Sequence, residues 1–210
     1  MLLLATQAEP QMRQFEHPCL GRLVQPRHHP ALGETAARGV PWAADNDCFQ
    51  RFDVDAWCAM VDRLQGVDGC LFVTVPDVVG DAWETARRFE RWWSAPARRG
   101  LPAALVAQDG LERMGGWLRS AWPRIDALFI GGTTAWKLGA DARRLVATAK
   151  DRGLWVHMGR VNSARRIAYA REIGCDSVDG TKWVRWRDTY LPEGLGLVSA
   201  PPQLSLEAPA

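Results

Sequence analysis

An α/β fold, with eight parallel strands closed into a barrel and one compact domain, is what this sequence predicts, and three observations carry the expectation. Short apolar runs alternate with amphipathic stretches along nearly the whole chain, the pattern of a parallel sheet with right-handed crossovers. Six runs are clear and two more are candidates near the N-terminus; eight would close a (β/α)8 TIM-like barrel at about the smallest size such barrels take. No GxGxxG or GxxxxGK[ST] follows any run, so the nucleotide-binding signatures of open doubly wound sheets are absent.

Taken in order, residues 1–38 supply two weak strands, Leu2–Leu4 and Leu23–Val24, and the loop Pro26-Arg27-His28-His29-Pro30. Residues 39–198 form the barrel core with the active site, and 199–210, with Pro201, Pro202 and Pro209, a flexible tail. Within the core, Val40–Ala44 is followed by a helix around Val54–Leu64, with Asp53 and Asp55 as its cap candidates. Cys70–Val75 reads as a buried strand, and the helix from Ala82 to Trp93 has Asp81 as its N-cap. Its Trp83, Trp92 and Trp93 read as core by their spacing. Ala103–Val106 precedes a helix broken at Gly115 and Gly116; Ala127–Ile130 precedes a helix from Ala140 to Arg152, with Asp141 read as a cap. Trp155–Met158 precedes a helix from Ser163, its cap candidate, to Ile173, where Gly174 takes the left-handed stop position. Ser177–Val178 begins the last strand.

The 210 residues are 47% hydrophobic and carry a net charge of +2. That excludes a strongly cationic protein and suits one domain with a real core. Lys137, Lys150 and Lys182 are the only lysines, leaving 23 arginines among the 26 basic residues. Two readings stand: a GC-rich coding sequence, or an arginine surface whose planar forks match phosphate and base edges. Five scattered cysteines form no CxxC or Cys/His cluster, which points to a reducing compartment and no zinc. The leucines at the start make too short a run for a signal or membrane segment. The expectation is a soluble cytoplasmic protein with no membrane contact and no cofactor; the oligomeric state is not legible.

Small or polar residues end nearly every strand. They are Asp45-Asn46-Asp47, Pro76-Asp77, Gln108-Asp109-Gly110, Gly131-Gly132, Gly159-Arg160 and Asp179-Gly180. In parallel α/β folds the carboxyl ends of strands meet at the ligand site. Each Asp or Gly alone is equally ordinary turn and cap chemistry; Gln108 and the Gly131-Gly132 pair are not needed for that.

Read in the same order, these segments resemble the tRNA-guanine transglycosylases and their DNA-acting deazaguanine-inserting relatives over about residues 40–182. Ala44-Asp45-Asn46-Asp47-Cys48-Phe49-Gln50 resembles S-D-S-G-G-F-Q, Val106-Ala107-Gln108-Asp109-Gly110 resembles V-Q-G-G, Phe129-Ile130-Gly131-Gly132 resembles I-G-G-L, His157-Met158-Gly159-Arg160-Val161 resembles Y-L-M-G-V-G, and Gly174–Asp179 resembles G-V-D-M-F-D. The resemblance implies that Asp179 is a nucleophile and Asp45 an acid/base, in the two-step logic of retaining glycosidases. It implies that Asp77, Gln108, Gly131, Gly132, Met158 and Gly159 hold a flipped-out base, with Met158 stacking on it. Arg160, Lys182, Arg185 and Arg187 would meet a nucleic-acid backbone, the run Lys182–Arg187 alternating basic and aromatic residues at the pocket mouth; the same run reads equally as an amphipathic edge strand. Met158 reads as a core methionine just as well, and His157 as a buried strand histidine.

The expected partner is nucleic acid, DNA rather than tRNA, with a free modified base as co-substrate. Base exchange, guanine for a 7-deazaguanine, is the first functional reading. Hydrolytic removal of modified bases by a DNA glycosylase, for example in defence against phage, is the second. A non-catalytic binding barrel is the third. Asp47 and Cys48 depart from the family's Gly-Gly. Strand-end carboxylates also leave open a metal-dependent phosphohydrolase or sugar isomerase, but the histidines it needs are missing: only His157 sits on a strand.

Overall fold

The computed structural model describes residues 1–6, 12–27, 32–50 and 52–201. His28, His29 and Pro30 of the expected loop, and residues 202–210 of the expected tail, lie outside them. Eight strands, β1 (Leu2–Ala5), β2 (Leu20–Val24), β3 (Trp42–Ala44), β4 (Cys70–Thr74), β5 (Ala103–Ala107), β6 (Ala127–Ile130), β7 (Trp155–Met158) and β8 (Ser177–Asp179), pair in chain order. All pairs are parallel, and β1 closes on β8 with Leu3 beside Val178. The (β/α)8 barrel is therefore shown, both weak N-terminal strands included.

The helices are α1 (Gly33–Ala37), α2 (Val54–Leu64), α3 (Ala82–Trp92), α4 (Ser94–Ala97), α5 (Gly115–Ala121), α6 (Thr134–Lys137), α7 (Ala140–Lys150), α8 (Ala164–Glu172), α9 (Thr181–Arg185) and α10 (Arg187–Ser199). Asp53, Asp81 and Ser163 cap α2, α3 and α8, accepting the backbone N–H groups of Ala56, Glu84 and Arg166, as N-cap side chains do. Asp55 and Asp141 do not cap; each sits inside the first turn, and Gly139 precedes α7. A carboxylate there still favours the positive end of the helix dipole. Gly174 stops α8 at φ +95.

Side chains alternate across each strand. One parity fills the barrel with Leu4, Leu23, Ala43, Phe72, Ala104 and Ala127, joined by Phe129 and Trp155. The other parity packs outward against the helices, with Leu3, Leu105, Ile130, Val156, Met158 and Val178 in that layer. Each large apolar side chain so buried contributes on the order of 1.5–3 kcal/mol. The same alternation carried past the strand ends turns Asp45, Gln108, Gly131, Gly159 and Asp179 inward, at the carboxyl end of the barrel.

The run Lys182–Arg187 is no edge strand, because a closed sheet has none. It forms α9 and the start of α10. Trp83 is corrected as well: it is exposed, whereas Trp92 and Trp93 pack against the core.

Candidate active site

Three carboxylates face one cavity. Asp45, at the end of β3, is anchored by its own N–H to the Val24 carbonyl (2.8 Å). Its Oδ1 accepts from the Asn46 N–H (2.8 Å) and its Oδ2 from Gln25 Nε2 (3.2 Å). Packing around the carboxyl leaves it only partly open to the cavity. Burial, and then the negative charge of Asp179, push its pKa up to about 7, with Gln25 pulling the other way.

Asp77 follows β4 and is buried. Asn46 Nδ2 donates to its Oδ1 (2.9 Å) and Gln108 Nε2 to its Oδ2 (2.6 Å). Burial raises its pKa, and these two donors oppose the rise. The Gln108 Oε1 accepts from the Gly80 and Gly132 N–H groups (2.8 and 2.9 Å). Asp77, Asn46 and Gln108 therefore satisfy one another and tie the loops after β3, β4, β5 and β6 together.

Asp179 ends β8. Its Oδ1 meets His157 Nε2 (3.1 Å) and accepts from the Arg160 N–H (3.1 Å). Glycine at 159 allows this approach: a Cβ there would stand 2.7 Å from the Phe129 ring and 3.3 Å from Asp179 Oδ1. Arg160 itself holds φ +58, a left-handed conformation that costs a non-glycine residue on the order of 1 kcal/mol. Its guanidinium donates to the Gly132 carbonyl and lies over the Phe49 ring, 4.8 Å from the centroid. Lys137 is buried behind this turn and donates to the Gly159 carbonyl (2.6 Å). Burial, and then the nearby Arg160 charge, lower its pKa to about 8.

The cavity between these groups measures about 80 Å³. Asp45, Asn46, Asp77, Gln108, Asp179 and Arg160 form its polar lining, and Phe49, Val79, Val106 and Phe129 its apolar wall, with Gly131 at the edge. Among the described residues no group of three or more His, Cys, Asp or Glu side chains is placed to hold a metal ion. No described helix is long and apolar enough to cross a membrane.

No family model and no curated protein matches this chain. Among solved structures it is similar to the 3-hexulose-6-phosphate synthase of Salmonella typhimurium. The two share 15% identity at a TM-score of 0.53, over 94% of this chain and 96% of that one. At that identity the likeness is one of fold alone.

These comparisons overturn the expected kinship with the tRNA-guanine transglycosylases, and with it the nucleic-acid base-exchange and base-excision readings. The solved structure matched along the chain is a different enzyme, and nothing found supports nucleic-acid chemistry. The physical reason lies in the motifs themselves. Asp, Gly and Gln at strand ends are what any small barrel uses to turn its chain and join its loops, and here Asp77, Gln108 and Gly132 are bonded to each other.

The structure brings together Asp45, Asp179, Asp77, Gln108, Gly131 and Arg160 around the cavity, with Gly132 and Gly159 immediately behind. Met158 is not among them. It is fully buried in the outer layer, because the parity that turns His157 and Gly159 inward turns Met158 outward. Lys182 folds its ammonium back over Trp183 and Tyr190, near Glu193 (3.6 Å). Arg185 lies over exposed Trp186, and Arg187 opens α10; none of the three lines the cavity. The candidate set lacked Asn46, Phe49, Gln25 and Lys137. Asn46 lay in plain view between two aspartates; nothing local marks Gln25 or Lys137.

Proposed function

We propose that this barrel is a small-molecule enzyme whose chemical step is a proton transfer by Asp45. The carrying observation is a carboxyl with a pKa of about 7 that lines the same cavity as the Asp179 carboxylate and feels its charge. A general acid/base works best when its pKa lies near the operating pH, because both protonation states are then populated. Two carboxylates divide the labour: Asp45 gives or takes the proton, and the Asp179 charge beside it helps keep the Asp45 pKa raised.

The substrate follows from the lining. Of the carboxylate oxygens of Asp45, Asp77 and Asp179, only Asp179 Oδ2 is left without a hydrogen bond from the described residues, so the ligand is expected to bring a hydroxyl or N–H group to it. It gains positive rather than negative charge as it reacts, since carboxylates fixed beside it stabilise that sign. Phe49 and Phe129 give it an apolar face. Barrels of this fold often hold phosphate between the loops after strands seven and eight and a short helix. Here the Lys182 N–H in that helix already donates to Asn162 Oδ1 (2.9 Å). A Cβ at Gly180 would collide with the Val161 carbonyl and that same carboxamide. The unphosphorylated member of a substrate pair is therefore expected to be preferred.

The test is an untargeted mass-spectrometric screen of a metabolite panel containing sugars, polyols and their phosphates. Wild type is compared with Asp45→Asn and Asp179→Asn. The expected result is a compound converted by wild type, with a pH-rate limb near 7, and lost in both variants. Conversion that survives Asp45→Asn, or a rate flat from pH 5 to 9, would sink the reading.

A further inference from the structure

A chain of polar side chains, buried at its middle and partly buried at its two ends, runs up the inside of the barrel to Asp179. Its members are Trp155 at the start of β7, Ser177 at the start of β8, His157 and Asp179 itself. Trp155 Nε1 donates to Ser177 Oγ (2.9 Å), Ser177 Oγ lies 2.8 Å from His157 Nδ1, and His157 Nε2 lies 3.1 Å from Asp179 Oδ1. His157 and Ser177 are fully buried, and the imidazole is wedged between Phe72 and Phe129, at centroid distances of 5.2 and 4.6 Å. All four side chains share the inward parity, with His157 paired to Ser177 in the ladder.

The direction of every bond follows from the two ends. An indole N–H can only donate, and a carboxylate can only accept. Ser177 Oγ accepts the indole N–H and has its own O–H to give, and Nδ1 of a neutral His157 is the acceptor beside it. With Nδ1 holding a lone pair, the ring proton sits on Nε2 and points at Asp179. We propose that Trp155, Ser177 and His157 are positioning residues that lock the Nε2–H tautomer of His157, saturate Oδ1 of Asp179 and leave Oδ2 as the oxygen that meets substrate. Oδ1 already receives two donors, His157 Nε2 and the Arg160 N–H, matching its two lone pairs. The chain is not a proton wire, because indole at its far end yields no proton. Its effect is orientation, as the partner of a catalytic histidine fixes tautomer and ring angle.

The functional part of this inference rests on the reading of Asp179 as the working carboxylate; the tautomer does not. Long-range 1H–15N spectra of histidine-labelled protein at pH 8 report the protonated ring nitrogen directly, His157 being assigned by its absence in His157→Gln. Wild type is expected to show Nε2–H for His157. Ser177→Ala, which strips Nδ1 of its donor, should shift the Nδ1 resonance and lose about tenfold in kcat on a substrate from the screen, with KM little changed. Ser177→Thr, which restores the hydroxyl, should recover both. Nδ1–H in wild type, or an Nδ1 resonance unmoved by Ser177→Ala, overturns the relay; the wild-type spectrum decides even if a variant folds poorly. Full turnover by Asp179→Asn with the Nε2–H signal intact would instead remove the proposed function and leave the tautomer standing.

Discussion

Asp45→Asn should stabilise the protein at pH 8.5 and do little at pH 4. In the unfolded chain an aspartate titrates near 3.8, and in the fold Asp45 does so at about 7. Below pH 4 both states hold the proton and the group is silent. Between pH 4 and 7 the unfolded chain releases its proton while the folded one keeps it, so stability falls as pH rises. Above 7 the folded protein carries the full cost of a buried, like-charged carboxylate. At 1.36 kcal/mol per pH unit that cost is about 4 kcal/mol, a ceiling, since Asp45 is partly open to the cavity. Asparagine never ionises. Its carboxamide oxygen can still accept from the Asn46 N–H, and its NH2 can donate to Gln25 once that amide turns over. With ~2–4 °C per kcal/mol for a chain of this size, the variant should melt roughly 5–10 °C above wild type at pH 8.5. Calorimetric scans at both pH values measure it. An equal difference at the two pH values, or a variant less stable at pH 8.5, would refute the assignment of a raised Asp45.

Asp179→Asn should lower the Asp45 midpoint, followed by carboxyl-carbon NMR, but not to 3.8, because burial is the larger cause and the Asp179 charge the second; an unmoved midpoint would deny the coupling. Arg160→Gly should be about 1 kcal/mol more stable than Arg160→Ala in urea melts, since only glycine accepts φ +58 freely; equal stabilities would show that the turn relaxes. Met158→Leu, a volume-conserving change in the outer layer, should cost under about 1.5 kcal/mol and leave turnover unchanged. A large loss of turnover would return Met158 to the site.

Strands were legible wherever apolar runs were bounded by turn residues, as in Cys70–Val75 with Pro76 after it, and caps wherever an Asp or Ser preceded an amphipathic stretch, as at Asp53, Asp81 and Ser163. Helix α10 was not. Its buried face, Leu191, Gly194, Leu195 and Val198, follows helical spacing, but Pro192, Gly194 and Gly196 disguise it, since a proline costs a helix interior about 3 kcal/mol in isolation. Packing over β1 and α8 overrides that local preference. The site was half legible. Strand ends placed Asp45 and Asp179 without further help, because topology alone brings them together. Which neighbours a side chain satisfies is a three-dimensional fact, so the Asp77–Gln108 bond and the Lys137 anchor left no sequence trace. The misplacement of Met158 was avoidable: one residue along a strand exchanges the inside of a barrel for its outside.

The seam between β1 and β8 joins Leu2 to Ser177 and Leu4 to Asp179. The strand that completes the hydrogen-bonded ring is thus the strand that delivers Asp179. During synthesis, Asp45 and Asp77 emerge from the ribosome long before their partner can, and the ring stays open until roughly residue 180 is free to reach back to the start. Pairings of such sequence separation are slow to form. Appearance of the proposed activity in a nascent or refolding chain should therefore coincide with ring closure rather than with helix formation, so that turnover would serve as a clock for the last step of folding.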